Sequence, residues 1–132
     1  MSEIILKKLL IKRGDFTLFS DGIFKEGVHI ITGKIGSGKT TLSMLLAGLI
    51  KPTSGDIEYK NINNTLLSMQ FPEYHLTKLT VEEETRSWGL IPDEILQISE
   101  LKGKEKYDPM KLSRGELKRL HLACILLKNR IF

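Results

Sequence analysis

Residues 33–40, GKIGSGKT, combine three glycines with two lysines and a threonine in a spacing suited to phosphate binding. The glycines let the backbone turn tightly, so that successive N–H groups face the oxygens of a phosphate. Lys39 directs a positive charge at the β- and γ-phosphates, and the Thr40 hydroxyl suits Mg²⁺, which prefers oxygen ligands. The pattern G-x-x-x-x-G-K-[ST] therefore predicts a P-loop that binds ATP and Mg²⁺. A glycine turn with a solvated lysine is the alternative, and it is disfavoured because so specific a pattern seldom arises by chance.

The segment Leu112–Leu120, LSRGELKRL, is a second candidate for anion binding. Ser113 and Gly115 stand at the start of a predicted helix, where a hydroxyl and a free N–H can hold a phosphate. Alternatively, Ser113 and Glu116 form a capping box, which is a structural arrangement. The segment resembles the signature motif of ABC ATPases, usually L-S-G-G-Q, with Arg114 replacing the first glycine and Glu116 the glutamine. In that family the motif closes over ATP held by a second subunit, so the resemblance implies a head-to-tail dimer.

Further matches follow in the order typical of ABC ATPases. Residues 46–57 are similar to the L-A-G-x-x-x-P-x-x-G stretch after the P-loop helix, and residues 70–84 look most like the energy-coupling-factor and cobalt-type ATPases. The resemblance places Gln70 in the Q-loop, where a glutamine contacts Mg²⁺ and water and senses a transmembrane partner; its alternative role is a surface amide. The resemblance also places Phe16 where an aromatic ring stacks on adenine, whereas core packing is the better expectation for an isolated strand Phe.

The P-loop pattern and the resemblance together predict a nucleotide site and no catalytic residue within the printed sequence. The predicted metal ligands are Thr40 and Gln70. The predicted nucleotide-binding residues are Phe16, Gly33, Lys34, Ile35, Gly36, Ser37, Gly38, Lys39, Thr40, Thr41, Gln70, Ser113 and Gly115. His29, His75 and His121 are too dispersed along the sequence to indicate a metal site.

The elements that must position these residues are short strands and helices. Strands are indicated by apolar or β-branched runs between turn residues. They cover residues 3–12 and 16–19 as a hairpin, 28–32 as a buried strand before the P-loop, and 56–59 and 65–71. Helices are predicted over residues 40–50, ended by Pro52, in short amphipathic stretches after Thr80, and from Arg114 to Lys128 with Leu117, Leu120, Ala123, Cys124 and Leu127 on its apolar face.

The resemblance implies an α/β fold, namely an incomplete P-loop NTPase of the ABC ATPase type with an N-terminal antiparallel β-subdomain and a small helical subdomain. Residues 1–71 are expected to form the β-subdomain and P-loop core, and residues 72–112 the helical subdomain. Residues 113–132 are expected to hold the signature helix and, at residues 129–132, the start of the next strand.

Composition and length exclude several classes of protein. The 132 residues, 41% hydrophobic and 27% charged, exclude two full domains and a disordered chain. The single Cys124 excludes an internal disulfide and a zinc site. A net charge of +4, spread along the chain, gives no reason to expect a nucleic-acid partner. Because neither a membrane helix nor a signal peptide is present in the sequence, we expect a cytoplasmic protein that partners hold on the cytoplasmic face of a membrane.

The resemblance implies an ATP-binding subunit of an ABC transporter, of the kind that imports vitamins or metal ions, with a second ABC ATPase subunit and a transmembrane subunit as partners. In complete ABC ATPases the signature helix leads to a strand that carries the Walker B Asp and the catalytic Glu. The printed sequence stops before them, so we expect weak nucleotide binding without appreciable hydrolysis. A non-catalytic relic, or a nucleotide-binding module that pairs with a complete ABC ATPase, stays open. A soluble ABC protein of DNA repair or translation has less support, because coiled-coil heptads and a basic extension are missing.

Overall fold

The predicted N-terminal hairpin is present and longer than expected. In the computed structural model, which describes residues 1–128, β1 (Glu3–Arg13) pairs antiparallel with β2 (Phe16–Lys25). The strand β3 (Ser54–Lys60) pairs antiparallel with the other edge of β1, so the sheet order is β2-β1-β3. This sheet belongs to the first of two units, Met1–Leu67.

A β-bulge at Lys8 breaks the strict alternation of buried and exposed residues along β1. The pairing register of β1 shifts here against both neighbours, and Lys8 has a φ of +48°. Gly55 of β3 meets the bulge: its φ is +80°, and a Cβ there would stand 2.2 Å from the Lys8 carbonyl oxygen. The extra residue brings Leu6 to the same face as Leu9 and Ile11, all of which are buried. The sheet thereby gains one continuous apolar face.

The helix α1 (Lys39–Leu46) packs on this apolar face, and its predicted continuation by a further turn is wrong. Gly48 has a φ of +73°, and its N–H donates to the Leu45 carbonyl at 3.0 Å. The N–H of Leu49 donates to the Met44 carbonyl at 2.9 Å. These two bonds make a Schellman motif, so a glycine, rather than the later proline, ends the helix.

Two predicted strands are not formed in the described residues. Residues 28–32 and 65–71 are irregular backbone, and Val28 and Ile30 are 94% and 85% exposed. A buried strand requires hydrogen-bonded neighbours, and neither run has a partner strand within residues 1–128. The predicted start of a strand at residues 129–132 lies outside the described residues.

The second unit begins at Ser68 and is helical. It contains 3₁₀ turns at Pro72–His75 and Pro109–Lys111 and the helices α2 (Val81–Ser87), α3 (Pro92–Ile98) and α4 (Arg114–Lys128). The predicted helix α4 is confirmed from Arg114 to Lys128, the last residue that the structure describes. Its apolar stripe helps to form a core of Val81, Leu90, Ile95, Leu96, Leu101, Leu112, Leu117, Leu120, Ala123 and Cys124.

Within residues 1–128, the helices are all too short or too polar to cross a bilayer. The predicted subdomain borders after residues 71 and 112 stay predictions.

Candidate functional site

The loop from Gly33 to Lys39 wraps around the ammonium group of Lys39. That group donates to the carbonyl oxygens of Gly33 and Lys34, each at 2.7 Å, and lies 3.4 Å from Ser37 Oγ. The N–H of Ser37 donates to the Lys34 carbonyl at 3.1 Å, which closes a turn. A positive charge therefore sits inside the loop, where it can exchange neutral carbonyl partners for an anion.

The start of α1 has no side-chain cap. Gly38 is the N-cap residue, with a φ of +99°, and no acidic side chain lies in the first turn of this helix. The first N–H groups of a helix have no partner within the helix, and the helix dipole adds positive potential there. Thr40 is exposed in the same turn. This arrangement is suited to bind phosphate at the N–H groups and a hard cation at the Thr40 hydroxyl.

Phe16 lies against the same loop. A Cβ on Gly38 would stand 2.8 Å from Phe16 Cζ and 3.3 Å from Leu18 Cδ1, so this position requires glycine for space as well as for its φ. Phe16 also packs against the core formed by Leu6, Leu9 and other residues of the first unit. Its expected core packing is therefore present, while stacking on adenine stays a prediction.

Gln70 belongs to the second unit and lies on an exposed turn rather than at the end of a strand. Its neighbours are fixed on both sides. The N–H of Met69 donates to His75 Nε2 at 3.0 Å, and the Phe71 ring makes an edge contact with the Tyr74 ring, with centroids 5.6 Å apart. The backbone of this segment is thus held while the Gln70 side chain faces solvent.

Ser113 and Glu116 form the predicted capping box at the start of α4. Ser113 Oγ accepts from the Glu116 N–H at 3.2 Å, and Glu116 Oε1 accepts from the Ser113 N–H at 3.1 Å. Glu116 also pairs with Lys104. The hydrogen bond from Lys104, followed by those from Ser113, lowers the pKa of Glu116 to about 2, so the carboxylate is charged at neutral pH. Gly115 is exposed beside this cap, with open space around its Cα.

Arg114 connects the start of α4 to the segment after Gln70, a link that sequence reasoning missed. Its guanidinium carbon lies 5.6 Å from the centroid of the Phe71 ring, and its Nε is 4.0 Å from Glu73 Oε1. In the sequence, Arg114 stands out only as a departure from the signature motif. Its partners depend on tertiary structure, so no local pattern identifies them.

His75 and His121, which are distant in the sequence, form a second such link. Their rings stack with centroids 4.3 Å apart. No metal-binding group of three or more His, Cys, Asp or Glu side chains occurs in the part of the chain that the structure describes.

The sequence matches a known family and its members. Residues 19–132 match the family described as ABC transporter. A Pyrococcus furiosus protein that carries the name of an ABC transporter ATP-binding protein is 38% identical, over 80% of this chain and 49% of its own length. An energy-coupling factor transporter ATP-binding protein of Thermotoga maritima is 32% identical, over 90% of this chain and 54% of its own length. The chain spans about half the length, or less, of such curated relatives.

A solved structure has the same fold. It is a dimeric ATP-binding cassette in a post-hydrolysis state, bound to ADP and Pi, with a TM-score of 0.64 and 21% identity over 96% of this chain and 70% of that chain. At this identity the likeness shows the fold alone. The fold class predicted from the sequence is confirmed.

Proposed function

The chain belongs to the ABC transporter family, and from that premise we propose that residues 33–41 bind the phosphates of ATP in the ATP-binding subunit of a membrane transporter. The observation that carries the proposal is the loop around Lys39, which leads into a helix start without a side-chain cap. On ATP binding, Lys39 would exchange the Gly33 and Lys34 carbonyls for phosphate oxygens. Charge-assisted hydrogen bonds to phosphate are stronger than bonds to neutral carbonyls, so this exchange is favourable.

The remaining parts of the nucleotide fit the residues around the loop. The Thr40 hydroxyl is an exposed oxygen donor of the type that Mg²⁺ takes in phosphate sites, where the ion neutralises charge on the phosphates. The contact between Phe16 and the loop at Gly38 supports an adenine-stacking role for the exposed part of that ring. Ile35 and Thr41 complete the proposed binding stretch.

The second unit would contribute to ATP binding through another subunit. Ser113 and Gly115 are exposed at the start of α4, where they are accessible to a γ-phosphate held by a second ABC ATPase subunit. Gln70 is equally exposed and would contact Mg²⁺ at its own nucleotide site. Tyr74, 69% exposed just after Gln70, offers an aromatic contact for a transmembrane subunit.

The wider biological role follows from the same family membership. We propose that the protein works on the cytoplasmic face of a membrane, with its transmembrane partner. The similarity to an energy-coupling factor protein of Thermotoga maritima supports import of a vitamin or a metal ion as the transport process.

For the printed residues alone, we propose nucleotide binding without appreciable hydrolysis. Phosphoryl transfer requires a carboxylate or polar group to hold the metal and orient water. Three carboxylates of the first unit are engaged elsewhere: Glu3 pairs with Lys60, Glu58 pairs with Lys7, and Asp21 accepts a backbone N–H of β1.

The test is titration of the purified chain with a fluorescent ATP analogue in the presence of Mg²⁺. Lys39→Ala should weaken binding by at least about tenfold, since a hydrogen bond to a charged group contributes about 1.5–3 kcal/mol. Lys51→Ala is the matched control, because Lys51 is an exposed lysine of the same unit outside the residues proposed to bind phosphate. Equal binding by wild type and Lys39→Ala would refute the site. Steady phosphate release by the wild type that is lost in Lys39→Ala would refute the absence of hydrolysis.

A further inference from the structure

Two histidine rings hold the residues that immediately precede Gln70. The N–H of Met69 donates to Nε2 of His75 at 3.0 Å. The hydroxyl of Ser68 lies 3.1 Å from Nε2 of His121. One ring nitrogen of each histidine therefore contacts a residue just before Gln70, through the Met69 backbone for His75 and through the Ser68 hydroxyl for His121.

The two rings form a single packed group. Their centroids are 4.3 Å apart, with 22° between the planes, and Trp88, the residue after α2, meets His121 edge-on at 5.9 Å. His121 is only 5% exposed. Because a charge is costly in such an environment, and two charged rings at this distance repel each other, the stack favours neutral imidazoles.

The hydrogen bond to Met69 requires an unprotonated nitrogen. A backbone N–H can only donate, so His75 Nε2 must accept through its lone pair, and the proton of the neutral ring sits on Nδ1. A proton added to Nε2 would set two N–H groups against each other. This bond therefore exists only while His75 is neutral.

The charged groups around the stack also favour neutral rings. Burial, followed by the positive charges of His75 and Lys118, lowers the pKa of His121 to about 4. Burial and then Lys118 lower the pKa of His75, while Glu84 of α2 opposes them. Cys124, on the same face of α4, is neutral because burial raises its pKa to about 12. Groups with lowered pKa values stabilise the fold above their ordinary pKa and lose that contribution as the pH falls through the lowered value.

We propose that His75 and His121 are positioning residues, which hold the Ser68–Phe71 segment and so place Gln70, and that protonation of the pair releases this segment. The inference rests on the proposed function, in which Gln70 contacts the Mg²⁺–nucleotide. It goes beyond that function by making the placement of Gln70 dependent on two side chains that do not touch nucleotide.

The experiment is amide hydrogen exchange at Met69, followed by NMR in the full chain at several pH values. His75→Gln keeps an acceptor oxygen that does not titrate, and His75→Leu removes the acceptor. At neutral pH we expect Met69 to exchange about five- to tenfold faster in the Leu variant than in the wild type or the Gln variant, the ratio for one lost hydrogen bond. On acidification, the wild type should lose this protection while the Gln variant retains it.

His29→Gln is the matched control, because His29 lies in the first unit, where its Nε2 contacts the Lys25 carbonyl. It should leave both the exchange rate and its pH profile unchanged. Equal protection of Met69 in the wild type and His75→Leu would overturn the proposal, as would the same pH profile, after correction for intrinsic exchange, in the wild type and His75→Gln. If circular dichroism shows that the Leu variant is unfolded, the profile of the Gln variant alone decides.

A second measurement separates this inference from the proposed function. The exchange rate of Met69 is measured without nucleotide, so it tests the role of the histidines even if the chain binds no ATP. If ATP binds, the enhancement of its affinity by Mg²⁺ should decline on acidification in the wild type and persist in His75→Gln. A Mg²⁺ enhancement with the same pH profile in both proteins would overturn the role in placing Gln70, whatever the affinity for ATP.

Discussion

The starts of α1 and α4 are both candidates for binding phosphate, and they are built in opposite ways. Gly38 begins α1 in a left-handed conformation and offers no side chain to the first N–H groups. At α4, Ser113 and Glu116 satisfy each other's N–H groups, and Glu116 adds a negative charge. A bound ligand would satisfy the free N–H groups at the first helix start, whereas the second is already stabilised by its own residues.

This difference assigns separate roles to the two starts. In the proposed function, the uncapped start and the Lys39 charge would give α1 its affinity for a free nucleotide. The capped start of α4 has one hydroxyl to share and a carboxylate nearby, so it should add little affinity alone. It would act on a phosphate that another loop already holds, which is the role proposed for Ser113 and Gly115.

The largest expected effect is that of Gly38→Ala at the uncapped start of α1. Its φ of +99° disfavours an L-residue, and the new Cβ would stand 2.8 Å from Phe16 Cζ. Left-handed strain costs about 1–3 kcal/mol, and the clash adds to it. We expect a lower urea midpoint for the first unit and loss of detectable binding of the ATP analogue.

Gly36→Ala is the matched control for this prediction. Gly36 also has a positive φ, +81°, but its Cβ would meet open space. It should therefore show the strain without the clash and keep more stability than Gly38→Ala. Equal losses in the two variants would show that the Phe16 contact does not restrict the loop.

Next in size is the removal of one hydroxyl from each helix start. Ser113→Ala should destabilise the second unit by about 1 kcal/mol, the usual contribution of an N-cap side chain, and leave ATP binding by the single chain unchanged. Thr40→Ala should do the reverse: little loss of stability, because Thr40 is not a cap, and a smaller enhancement of ATP affinity by Mg²⁺. Urea unfolding and the ATP titration measure both. A loss of stability in Thr40→Ala together with weaker ATP binding in Ser113→Ala would contradict the roles assigned to the two helix starts.

Sequence reasoning succeeded where the determining interactions are local. The start of α4 follows from its capping box and its buried face from its apolar period, and the loop around Lys39 follows from a glycine spacing with a backbone requirement behind it. It failed where partners are distant. Residues 28–32 have strand composition but no partner strand within residues 1–128, and the contacts of Arg114 and the His75–His121 stack require tertiary structure. Gly48 ends α1 before the proline from which the sequence predicts its end.

A smaller effect is expected from Arg114→Ala, which tests whether the start of α4 is tied to the Gln70 segment. Loss of an exposed cation–π contact with Phe71 should lower stability by about 0.5–1 kcal/mol and shift the NMR signals of that ring. Arg114→Lys keeps the charge without the planar group, so its stability should lie between those of the wild type and Arg114→Ala. If the Phe71 signals are the same in all three proteins, the link is absent in solution.

The smallest effect at neutral pH is expected from Glu116→Gln, which separates the acceptor role of this side chain from its charge. The amide oxygen can still accept from the Ser113 N–H, so the cap should remain, while the ion pair with Lys104 is lost. The lowered pKa of Glu116, about 2, means that the carboxylate stabilises the fold above its ordinary pKa of 4.5 and loses this contribution as the pH falls toward 2. The urea midpoint of the wild type should therefore fall more steeply than that of Glu116→Gln across this range, with the exposed Glu83→Gln as control. Parallel pH profiles would mean that hydrogen bonds alone stabilise the start of α4 and that the charge of Glu116 contributes nothing. The start of α4 would then repel phosphate less and would resemble the start of α1 more closely.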